Sequence, residues 1–184
     1  MKKIILFTIF GLLFLKSNAQ TATVEKSIYG LQTGVLGIWA HNEIKLTNQI
    51  ALRTEVGLSG GVFGGSFYPK TGFLMVPVFT AEPRWYYNLK KRVSKSRNIS
   101  GNSGNFLTIQ TSFYPNWFVI SNVSNLKTNN LLTVIPTWGI RRNIGNHFTY
   151  ETGIGLGFAR QFNQNPGDIT KAIANLHIRI GYQF

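Results

Sequence analysis

The stretch Phe148–Phe158, FTYETGIGLGF, decides the fold. Phe148, Tyr150, Thr152, Ile154, Leu156 and Phe158 share one parity; Thr149, Glu151, Gly153, Gly155 and Gly157 share the other. Side chains of a strand alternate between faces, whereas a helix would repeat its apolar residues every three or four. Gln49–Ser59 and Ala174–Phe184 have the same form. In the first, Ile50, Leu52, Thr54, Val56 and Leu58 oppose Arg53, Glu55 and Gly57; in the second, Leu176, Ile178, Ile180, Tyr182 and Phe184 oppose His177, Arg179 and Gly181. A tilted strand crossing a bilayer needs about 9–11 residues, which each of these stretches supplies.

Weaker alternation places further strands near Tyr29–Leu36, Trp39–Leu46, Phe73–Asn88, Phe106–Tyr114 and Leu131–Arg141, giving eight. The connectors Gly60–Gly72, Asn116–Asn130 and Gln161–Lys171 are rich in turn-forming residues. Lys90–Asn105, KKRVSKSRNISGNSGN, is of low complexity and is read as flexible. Pro77, Pro83 and Pro136 fall inside strands, where proline cannot donate to a ladder; they are read as bulges or as the ends of the spanning part.

The N-terminus reads as an export signal. Lys2 and Lys3 precede an apolar run, Ile4–Leu15, and Ser17-Asn18-Ala19 fits a cleavage site. Met1–Ala19 is then a signal peptide and Gln20–Phe184 a single domain. The chain has 184 residues, no cysteine, 19 Lys+Arg and 6 Asp+Glu. Without Lys2, Lys3 and Lys16 its net charge falls from +13 to +10. The lack of cysteine excludes disulfides, thiolate metal sites and a Cys-linked anchor.

Alternation alone fits either a soluble barrel with an apolar core or a membrane barrel with a polar one. The apolar faces of the three clear strands carry no charge, and the opposite faces mix charges with glycines that suit a narrow lumen. Trp85, Tyr87, Phe148, Tyr150, Tyr182 and Phe184 sit at strand ends on the apolar face, as an aromatic girdle would. A closed barrel also pairs every backbone group, as a bilayer requires. The expected fold is all-β, an eight-stranded antiparallel transmembrane β-barrel.

The export signal, the alternating last strand and the terminal Phe184 resemble small outer-membrane barrels of the OmpA/OmpX type. The signal ending Asn18-Ala19-Gln20, AEPRWYYNLKKR (Ala81–Arg92), IPTWGIRRNIGNHF (Ile135–Phe148) and YETGIGLGF (Tyr150–Phe158) look like uncharacterised outer-membrane β-barrel proteins of Bacteroidota. The resemblance implies an outer-membrane location, contact with membrane lipid and recognition of the strand ending at Phe184 by the barrel assembly machinery. It implies no specific activity.

On the inward face, Glu43, Lys45, Arg53, Glu55, Glu82, Arg84, Arg141, Glu151 and Arg179 are candidates for an ion-pair network, because buried charges persist only when paired. Eight strands leave an interior just wide enough for side chains. The expectation is therefore a plugged barrel, monomeric, with a structural or surface-interaction role. A narrow channel for small solutes or ions is the alternative, and a lipid-modifying enzyme comes third. Against an enzyme, His41, His147 and His177 show no ligand or triad spacing, with His41 nearest the outer end. No cofactor is expected. Lys90, Lys91, Arg92, Lys95 and Arg97 form a basic turn on the expected periplasmic side. Export argues against nucleic acid there; anionic lipid headgroups or an anionic periplasmic partner would suit it.

Overall fold

The structure, a computed structural model, describes residues 22–64, 71–162 and 167–184. The expected signal peptide, Met1–Ala19, lies outside the described residues. Among the described residues nine strands follow one another: β1 (Ser27–Gly34), β2 (Gly37–Lys45), β3 (Ile50–Phe63), β4 (Gly72–Trp85), β5 (Gly104–Tyr114), β6 (Ile120–Ser121), β7 (Asn130–Ile144), β8 (Phe148–Phe162) and β9 (Ile169–Gln183). A helix of five residues, α1 (Leu89–Val93), and a 3-10 turn, Ser100–Asn102, stand between β4 and β5.

All pairings are antiparallel, and eight strands close on themselves: β1 pairs with both β2 and β9, and β3 pairs with β4. The protein is thus an all-β antiparallel ring. β6 takes the edge of β4 at Leu74 and Met75, beyond the reach of β5, whose ladder with β4 ends at Phe79. Sequence placed Ile120 and Ser121 in a connector; Leu74 and Met75 draw them into pairing, and Ser121 Oγ donates to the Phe73 carbonyl at 2.6 Å. Several strands outrun their alternating cores, reaching 14 residues in β3 and β4 and 15 in β7, β8 and β9.

The structure corrects the reading of the strand prolines and of Lys90–Asn105. Pro83 and Pro136 are neither bulges nor ends. Each keeps register with one neighbour, Leu52 and Ile109 respectively, while the ladder on the other side skips it. A strand residue directs its N–H toward one neighbour only, so a proline interrupts one ladder and spares the other. Pro77 stays paired with Leu58. The second correction concerns Lys90–Asn105, which folds as α1 and the 3-10 turn. Leu89, Ile99, Gly101 and Asn102 are buried, and with Val24, Ala51, Tyr86 and Phe106 the apolar members cork the terminal end of the ring, where β1 begins and β9 ends. Gly101 has φ +59, the left-handed region that favours glycine, and a Cβ there would meet Asn143 Nδ2 at 2.5 Å.

The two faces are partitioned in the reverse of an ordinary globular domain. Among the described residues 20 polar or charged residues are buried against 11 hydrophobic ones, so the interior is mainly polar. Outside, Leu156 and Leu176 are 73% and 75% exposed, in a wall of apolar side chains. Gly57 sets the width of the interior: a Cβ there would strike the Ile38 carbonyl oxygen and come within 2.8 Å of Trp39 Cα.

Gly57→Val should therefore overpack the β2–β3 wall and cost about 1–3 kcal/mol. Gly61→Ala, where a Cβ meets nothing within 4 Å, should be nearly neutral. Denaturant unfolding followed by circular dichroism measures both.

Candidate functional site

Register brings the interior charges to one level. Glu43 stands opposite Arg53, Arg53 opposite Glu82, Arg141 opposite Glu151, and Glu151 opposite Arg179. The side chains then join across the lumen of the ring. Arg53 lies 3.5 Å from Glu82, Glu82 2.8 Å from Arg84, and Arg84 donates twice to Glu151 at 2.7 Å. Glu151 lies 3.7 Å from Arg141, which donates to Glu43 at 3.0 Å; Glu43 returns to Arg53 at 3.7 Å. The result is a closed circuit of alternating sign, three arginines and three glutamates. Glu55 and Arg179 form a branch: Arg53 Nε donates to Glu55, and Arg179 Nη1 donates to both Glu55 oxygens at 2.8 and 3.0 Å.

Four arginines balance four glutamates here, and all eight are buried. Desolvating a charge is costly unless an opposite charge and further hydrogen bonds accompany it. Those hydrogen bonds come from Tyr86 Oη (2.8 Å) and Asn102 Nδ2 (2.6 Å) to Glu43, and from Arg53 Nη2 to Gln32 Oε1 (2.6 Å). Arg84 also lies over the Phe106 ring at 4.3 Å, and Arg179 over Trp39 at 4.3 Å.

Eight of the nine residues read from parity meet in this layer; Lys45 does not. It shares the parity of Glu43, but two residues on it has reached the strand end, where its Nζ donates to Thr23 Oγ1 at 2.6 Å. Sequence reasoning missed Tyr86, Gln32 and Asn102. Tyr86 continues the parity of Glu82 and Arg84, and Gln32 lies on an inward position of β1, so pattern alone could have found both. Asn102 arrives from the folded Lys90–Asn105 segment and left no signal.

The layer divides the interior. Toward the terminal end lies the apolar cork. Toward the other end a cavity of about 390 Å³ opens, lined by Trp39, Thr80, Gln110, Ser112, Asn175 and His177 among others. His177 reaches within 3.5 Å of Glu151. His41 lies buried in mid-wall opposite Glu55, so it is not at an outer rim. His147 stacks on Tyr182 at 5.2 Å outside the ring. The three histidines are not brought together, and no group of acids and histidines suited to a metal occurs among the described residues.

The six aromatic candidates all point outward at the terminal end, where Trp85 packs on Tyr87 and Tyr182 on both Phe148 and Phe184. Phe79, Phe113, Trp117 and Phe158 are exposed farther toward the opposite end as a second aromatic row, in which Phe79 pairs with Phe113 and packs edge-on against Trp117 at 5.5 Å. Lys90, Lys91, Lys95 and Arg97 are exposed and Arg92 is half-buried, its guanidinium held by two hydrogen bonds to the Asn98 carbonyl. No protein family, curated protein or solved structure matches the chain.

Glu151→Gln should leave Arg84 and Arg141 short of a counter-charge and lower stability by about 3–5 kcal/mol. The double variant Arg84→Gln, Glu151→Gln restores the balance and should recover part of that loss. Unfolding titrations of the three proteins decide.

Proposed function

We propose that this chain is an integral outer-membrane β-barrel protein with a structural or surface-interaction role, akin to the OmpA/OmpX type and to the Bacteroidota barrels it resembles. The observation that carries the reading is the inversion of faces: paired charges inside the ring, bare leucines and isoleucines outside. In water such an exterior is unfavourable, whereas hydrocarbon solvates it, and closing the sheet into a ring pairs most of the strand backbone, as a bilayer core demands. Two aromatic rows bound this belt, as rings at the two interfaces of a bilayer would. An export signal is the matching address, and the terminal strand ending at Phe184 is the segment the assembly machinery would read.

The interior favours a closed barrel over a channel. A solute entering the 390 Å³ cavity meets the Arg/Glu circuit and then the cork of Tyr86, Leu89, Ile99 and Phe106. Passage would require breaking several buried pairs at once. A lipid-modifying enzyme has no assembled histidine site to support it.

Planar-bilayer recording of the refolded protein should show no steady conductance above the lipid background; sustained single-channel steps would favour the channel. Within the belt, Ile178→Arg should cost about 2–4 kcal/mol and diminish the heat-modifiable folded band, because arginine on a lipid face is penalised. Ile178→Leu should not. Deleting Phe184 should reduce assembly in cells more than refolding in detergent.

A further inference from the structure

The outer wall beside α1 assembles cations with no acid among them. Arg142 follows the inward Arg141 on β7 and so lies on the outer face, opposite Tyr150. Its Nη1 donates to the carbonyls of Gly104 and Arg141 at 2.7 Å, and its Nη2 donates to Asn105 Oδ1 at 2.6 Å. Asn105 also ties down the start of α1, its N–H donating to Asn88 Oδ1 at 2.8 Å. One residue thus clamps Arg142 and α1 together. Arg92 and Arg97 both act on Arg142 by charge repulsion, and Arg97 acts on Arg92. Burial and that repulsion push the Arg92 guanidinium below its ordinary pKa. Like charges are normally dispersed or countered. Here the two best-fixed guanidiniums are held by carbonyl and amide oxygens, which orient them but leave their charge uncompensated.

The same wall has an apolar continuation. A groove of about 800 Å³ runs over β5, β7 and β8, lined by Leu107, Ile109, Pro136, Trp138, Ile154 and Leu156. It lies where Pro83 and Pro136 interrupt their ladders. Trp138, at its upper edge, donates from Nε1 to Tyr87 Oη at 2.8 Å, and Tyr87 Oη accepts from Asn105 Nδ2 at 3.4 Å. Arg142 lies four positions beyond Trp138 along β7, about 13 Å at 3.3 Å per residue. Groove, aromatic edge and arginine cluster therefore succeed one another along one line toward the terminal end.

We infer that this line is a binding site for one anionic phospholipid, its headgroup phosphate between Arg92, Arg97 and Arg142 and an acyl chain in the groove below Trp138. Arginine suits a phosphate because its planar fork makes paired, charge-assisted hydrogen bonds. The groove selects a lipid over a free anion, since inorganic phosphate leaves it empty. The inference rests on the membrane reading, and the two are separable. Insertion is scored first, by protease protection and heat-modifiable mobility in nanodiscs of phosphatidylcholine.

Inserted full-length protein is then challenged with phosphatidylglycerol, and retained lipid is counted by native mass spectrometry. Wild type should retain one phosphatidylglycerol. Arg92→Gln, Arg142→Gln should weaken retention at least 10-fold, as should Arg92→Gln, Arg97→Gln, which leaves the sheet untouched. Lys127→Gln and Lys171→Gln, at the opposite end, should stay within twofold of wild type. Equal retention of phosphatidylcholine, displacement by equimolar inorganic phosphate, or unchanged binding in the arginine variants would overturn the site. So would capture of a polyglutamate peptide without lipid, which would point to an acidic protein partner. Protein that inserts normally yet retains no phosphatidylglycerol would refute this inference and leave the membrane reading intact.

Discussion

The alternating circuit of Arg53, Glu82, Arg84, Glu151, Arg141 and Glu43 is the constraint on which the rest depends. It links β2, β3, β4, β7 and β8 across the interior, and Glu55 with Arg179 ties in β9. Each member is buried, so each needs its neighbours at hydrogen-bonding or ion-pair distance. That requirement fixes register more firmly than apolar packing could. A one-residue slip of any participating strand would turn its charge outward and leave an uncompensated partner inside. Glycines such as Gly57 follow from the same demand, because long paired side chains fill the interior and the wall must yield space.

Charge is sorted with equal strictness. The circuit and its branch are neutral, four against four, so the surplus positive charge of the chain lies elsewhere. Among the described residues most of it gathers at the terminal end, in Lys90, Lys91, Arg92, Lys95, Arg97 and Arg142, beside the cork and the first aromatic row. The opposite end is less basic, and its Arg160 is countered by Asp168 at 2.8 Å. An exterior that is basic at one end, apolar in the middle and aromatic at both borders is anisotropic along the ring axis. A bilayer with chemically distinct leaflets is an environment with that same anisotropy.

Much of the wall was legible because strand parity is a rigid rule. Phe148–Phe158 and Ala174–Phe184 assign inward and outward residues directly, and Glu55 beside Arg53, or Glu82 beside Arg84, follow from spacing of two. What parity cannot convey is which charges meet across the ring. Arg84 and Glu151 are 67 residues apart, joined only once β4 and β8 face one another. Lys45 had the right parity but the wrong height. Asn102 and Ile99 come from a segment whose composition reads as solvent-exposed, and only tertiary burial beneath the ring explains their order. Pro83 and Pro136 looked like obstacles because a closed ring has no edge; local skips in one ladder accommodate them.

The charged wall faces inward, and under the proposed function the apolar wall faces hydrocarbon. The chain has no cysteine, so single labelling sites can be introduced cleanly at Leu176→Cys and Ile154→Cys in the belt and at Lys127→Cys at the far end. Each would carry a fluorophore whose emission is quenched by brominated acyl chains. In bilayers of brominated lipid the labels at 176 and 154 should be strongly quenched and shielded from aqueous iodide, with the reverse at 127. Iodide quenching at 176 and 154, without quenching by the brominated chains, would contradict the account.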